Sequence, residues 1–99
     1  MDELHIGEVY ATQGVIAEMK DIYGFQEFCS GCLMRHRSYD WGDIDEEDKA
    51  SNDEAVESGG RIISAYILPR YFCIAYTDRI WIITEADRSQ TTILFPYEY

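Results

Sequence analysis

RIISAYIL (Arg61–Leu68), YFCIAYT (Tyr71–Thr77), RIWIIT (Arg79–Thr84) and TTILF (Thr91–Phe95) place four short β-branched and aromatic runs between residues 61 and 95. Pro69-Arg70, Thr77-Asp78 and EADRSQ (Glu85–Gln90) separate them. Each run reads as a strand joined by a tight connection, so an antiparallel sheet of three to four strands is predicted. The texture upstream is different. IGEVYA (Ile6–Ala11) can form a short strand, and Thr12 can cap a helix over roughly 13 to 22 with Val15, Ile16, Met19 and Ile22 on one face. Gly24 breaks it. FQEFCSGCLM (Phe25–Met34) resumes helical spacing, and RHRSYDWGD (Arg35–Asp43) reads as a loop. Asp43 or Asp45 can cap a third helix reaching about Ser58, where Gly59-Gly60 stops it. Helices first and strands afterwards give α+β: two or three N-terminal helices on one face of the C-terminal sheet, in a single domain over 1–99.

The chain of 99 residues carries 8 Lys and Arg against 19 Asp and Glu, for a net charge of -11. That charge opposes direct phosphate binding, which needs cations to displace counterions. It leaves open a basic protein partner, such as one that itself binds nucleic acid. With 46% apolar and 14% aromatic residues, the composition is that of a folding chain and not of an acidic tail. No apolar run approaches a membrane span, and the opening MDELHIGEV is acidic and unlike a signal peptide, so the cytoplasm is the expected compartment. Three Cys suggest thiols and not a disulfide framework. The acid is polarised: residues 40 to 57 hold nine carboxylates and one Lys, whereas residues 60 to 99 hold four carboxylates and four Arg.

WGDIDEED (Trp41–Asp48) is the densest acidic stretch. Its oxygens could bind Mg²⁺ or Ca²⁺, but the spacing lacks the Gly and the terminal Glu of a calcium loop. The same acids suit a helix N-terminus, whose free N–H groups and dipole favour carboxylates. The third helix has only Ile44, Ala50, Ala55 and Val56 to bury. Cys29-Ser-Gly-Cys32 with His36 could hold zinc with His5 or Cys73; alternatively both Cys are small core residues one turn apart. Glu85, Asp87, Arg88 and Ser89 read either as a carboxylate site with an anion-gripping Arg or as a turn in which Asp87 and Ser89 bond local backbone and Arg88 pairs with Glu85 or Asp87. Trp41 and Trp81 read as anchors, and the Tyr-rich segments are dense enough for an interface.

RIWIITEADRSQTTILFPYEY (Arg79–Tyr99), preceded by DWGD (Asp40–Asp43) and the Asp48–Asn52 segment, resembles a family of small proteins of bacterial mobile elements, often labelled plasmid-related or restriction-subunit-like. The resemblance covers nearly the whole chain. It implies a setting of phages and plasmids, where small acidic proteins disarm host defence and some are anti-CRISPRs. Two departures stand out: Ser38-Tyr39 replaces a glycine before DWGD, and Leu68–Asp78 is longer than the usual hairpin connection.

The expectation is therefore a non-enzymatic anti-defence inhibitor binding a basic, nucleic-acid-binding surface of a host Cas effector such as Cas9. Asp43, Asp45, Glu46, Glu47, Asp48, Asp53, Glu54, Glu57, Tyr71 and Phe72 are the expected partner-binding residues. No cofactor, metal or catalytic residue is assigned, and no direct contact with nucleic acid or membrane is expected; a homodimer is an open possibility. The alternatives are a metal-dependent nuclease using Asp40, Asp43, His36 and Asp87, or an accessory regulatory module.

Overall fold

A computed structural model describes residues 2–99. The order is β1 (Glu8–Ala11), α1 (Gln13–Asp21), α2 (Phe25–Arg37), α3 (Glu46–Ser58), β2 (Ile62–Ile67), β3 (Arg79–Thr84) and β4 (Gln90–Leu94), with short 3₁₀ turns at Arg70–Phe72 and Pro96–Glu98. The chain is α+β, with its helices ahead of the main sheet. The three C-terminal strands pair antiparallel, Ile62 opposite Thr84 and Ile83 opposite Thr92. β1 joins β4 in parallel, so the sheet is mixed and reads β1-β4-β3-β2. Thr12 follows β1 and caps α1: its N–H donates to the Ile93 carbonyl and its hydroxyl accepts from the Val15 N–H. Glu98 accepts from the Thr12 hydroxyl and the Gly14 N–H, which ties the C-terminal residues to the start of α1.

Two expectations are corrected. α2 runs to Arg37, so RHR is the last helical turn and not a loop. Three basic residues suit a helix C-terminus, where the dipole is negative. Tyr71–Thr77 is not a strand. The Leu68 N–H donates directly to the Asp78 carbonyl at 2.8 Å, and Ile67 pairs with Arg79, so β2 passes to β3 with the intervening residues looped out. Phe72 instead plugs the inner face, edge-on to Phe25 and Phe28 at 5.3 and 5.6 Å. Burial against α2 outweighs an aromatic residue's preference for strands, which is context-dependent.

Alternation along β2 places Ile62, Ser64 and Tyr66 toward the helices and Ile63, Ala65 and Ile67 on the other face. On the helix face lies a large cluster of Val15, Phe25, Cys29, Cys32, Tyr66, Ile80, Ile82, Ile93 and Phe95. A smaller cluster of Leu4, Trp41, Ala55 and Ile62 lies toward α3. Ser64 stands between Ile62 and Tyr66, so a polar layer meets the seam between the two clusters.

Candidate interaction surface

DWGD runs alongside β2 and covers the sheet's edge. The Trp41 carbonyl accepts from the Ala65 N–H at 3.3 Å, and the Asp43 N–H donates to the Ala65 carbonyl at 2.7 Å. The Asp43 carboxylate accepts from the Ile67 N–H at 2.9 Å. These bonds satisfy a row of edge groups that would otherwise recruit another strand. Gly42 lets the chain approach: its φ is +77°, and a Cβ would lie 2.1 Å from the Ala65 carbonyl oxygen. Asp40 locks the segment to α2 through Arg35 at 2.7 Å and accepts from the Gly42 N–H. The Arg35 hydrogen bond holds the Asp40 carboxyl below its ordinary pKa.

α3 continues from there. Asp45 is the N-cap and accepts from the Asp48 N–H at 2.8 Å; Glu46, Glu47 and Asp48 fill the first turn. Only Asn52 and Ala55 of this helix are buried. Asn52 grips the same edge strand from the side, donating to the Ile63 carbonyl at 2.9 Å and accepting from its N–H. Asp53 accepts from the Trp41 indole N–H at 2.9 Å. α3 has no basic residue in its own last turn, and the β3–β4 turn supplies one. Arg88 donates to the carbonyls of Ala55 at 2.9 Å and Gly60 at 2.6 Å, a cation at the negative end of the helix. Arg88 thus bonds backbone, where the sequence reading paired it with Glu85 or Asp87. Asp87 does turn onto its neighbour, accepting from the Ser89 N–H at 3.0 Å.

The expected partner-binding residues therefore divide. Asp43, Asp45 and Asp53 are engaged in building the segment, and Glu46 pairs with Lys49 at 3.4 Å. Glu47, Asp48, Glu54 and Glu57 are exposed and form no ion pair among the described residues. Tyr71 is 77% exposed, but Phe72 is only 6% exposed and faces the core, which withdraws it from any contact surface. Tyr76 and Tyr97 add exposed rings 5.7 Å apart.

The groups invoked for metal or nuclease chemistry are dispersed. Cys29 and Cys32 lie on the buried face of α2, and burial pushes both thiols up to about 12. His36 shares that face and is fully buried. It sits between Ser64 at Nδ1, 2.6 Å, and Thr84 at Nε2, 2.8 Å. Proton counting assigns its tautomer. Thr91 donates its only O–H to the Ile6 carbonyl at 2.8 Å, so it must accept from Thr84 at 2.7 Å. Thr84 must then accept from Nε2–H, leaving Nδ1 to accept from Ser64. Every member of this layer is satisfied by a neutral imidazole. Burial, and secondarily the charge of Arg88, lowers the His36 pKa to about 4. His36 therefore has no lone pair free for a metal and no route to a substrate. Among the described residues, no three His, Cys, Asp or Glu side chains converge as metal ligands. Nor is any helix among them long and apolar enough to cross a membrane.

Comparison with protein-family models, characterised proteins and solved structures finds no match to this chain. Sequence reasoning missed Asn52 and gave Arg88 the wrong partners, because the groups they bond lie 11 and 33 residues away. A signal for His36 was present: Phe25, Cys29, Cys32 and His36 follow one helical stripe.

Proposed function

We propose that the protein is a non-enzymatic inhibitor of a host defence system. In this reading it acts in the cytoplasm of the host bacterial cell and binds a basic, nucleic-acid-binding surface of a Cas effector such as Cas9. Its carboxylates take the places of phosphates and block guide-RNA or target-DNA engagement. One observation carries the reading. α3 gives only Asn52 and Ala55 to the interior and turns Glu47, Asp48, Glu54 and Glu57 outward, where no cation among the described residues pairs with them. The helix is held by side-chain bonds to β2, Trp41 and Arg88, so the acidic face is preorganised. Charge of this kind steers association and leaves specificity to neighbouring apolar and aromatic groups. Tyr71 is one such group.

The test is a binding measurement between the protein and a purified Cas effector, with and without guide RNA. Glu47→Gln, Asp48→Asn, Glu54→Gln and Glu57→Gln together remove four charges and leave the Asp45 cap intact. The association rate is expected to fall by about tenfold or more, and to fall with salt in the unmutated protein. Association indifferent to both salt and the four substitutions refutes phosphate mimicry.

A further inference from the structure

Between α3 and the sheet face turned away from α1 and α2 lies a groove of about 330 Å³. Its floor is Ile44, Ile63 and the half-buried ring of Trp81, and its helix wall is Asp48 and Ser51. Helical spacing sets Glu47 and Glu54 on one stripe with Ser51, next to the groove-lining face of α3. Arg61 also lines the groove, but its charge is engaged. It lies 3.4 Å from Glu85, donates to the Tyr99 hydroxyl at 2.7 Å and covers the Tyr99 ring at 5.3 Å.

We propose that this groove is a socket for an arginine side chain of the basic partner. The inference rests on α3 being the partner-facing surface, and it specifies what that surface grips. An arginine satisfies each wall at once. Its methylene stem covers Ile44 and Ile63, its planar guanidinium lies over the Trp81 indole, and its charge meets Asp48 on the acidic rim. A purely apolar side chain would strip water from Asp48 with nothing in return. A second copy of this chain would set acid against acid, since each carries a net charge of -11. Lysine matches the charge but has no plane to stack.

Two ten-residue peptides, one arginine-rich and one lysine-rich with the same charge spacing, discriminate by calorimetry against the whole protein at low salt. The arginine peptide is expected to bind about fivefold tighter. Trp81→Leu removes the stacking surface. Ser51→Phe fills the groove from an exposed helical position and covers the Trp81 ring without replacing it, so it serves if Trp81→Leu perturbs the fold. Either substitution is expected to abolish the preference while leaving lysine-peptide affinity unchanged. Equal affinity of the two peptides, or a preference surviving Ser51→Phe in the folded variant, overturns the socket and leaves the acidic-surface reading standing. Failure of both peptides to bind at low salt overturns both.

Discussion

Lowering the pH from 7.5 to 5.0 tests the polar layer, because its imidazole must stay neutral to satisfy its neighbours. In the unfolded chain His36 takes up a proton near its ordinary value of 6.5; in the folded protein it does so only near 4. Between those values the unfolded state binds the extra proton, so stability falls with pH across that window and levels off below it. The full window corresponds to about 3 kcal/mol, and at pH 5.0 about 2 kcal/mol of it is lost. The physical origin is plain in the geometry. A second proton would sit on Nδ1, where Ser64 donates at 2.6 Å, and the new charge would be buried beside Trp41. Other groups titrate too, and fewer carboxylate charges relieve self-repulsion in so acidic a chain. Comparison with His36→Gln, which carries an acceptor and a donor but does not titrate, cancels those contributions. Urea unfolding of both proteins at the two pH values gives the double difference, expected at about 2 kcal/mol. An NMR titration locates the His36 midpoint independently. Identical pH dependence in the two proteins, or a His36 midpoint at 6 or above, refutes the reasoning.

Asn52→Ala removes both side-chain bonds to Ile63 and is expected to cost about 2 kcal/mol in urea unfolding, with faster hydrogen exchange at the Ile63 amide; unchanged exchange there contradicts the edge-clamp role. Arg88→Met withdraws the guanidinium from the Ala55 and Gly60 carbonyls and is expected to cost about 1–2 kcal/mol, read as lost helicity at the end of α3 by NMR. A thiol-exchange reagent at pH 8 should label Cys73 rapidly and reach Cys29 and Cys32 only in denaturant, since both are buried with thiols raised to about 12. Three fast thiols in the native protein would contradict the packing of α2.

Much of the fold was legible in short-range chemistry. Thr12, Asp45 and Gly59 mark helix ends because capping is a local bargain between a side chain or a permissive backbone and the nearest free N–H and C=O groups. Ile80, Ile82 and Thr84 declare an inward face of β3 by alternation alone. Tyr71–Phe72 was misread because the same aromatic residues that favour strands also fill cores, and only the neighbouring α2 face decides between the two.

The candidate surface divides along the same line. Net charge, the acidic start of α3 and its shortage of apolar residues were properties of the sequence by itself, since charge and composition need no partner to be counted. Which acids remain free was decided by tertiary structure. The backbone of β2 engages Asp43, the indole of Trp41 engages Asp53, and Arg88 rather than any residue of α3 complements the helix's negative end. Those are hydrogen bonds between groups far apart in the chain. Their existence depends on the packing of α3 against the sheet edge, which no local periodicity encodes.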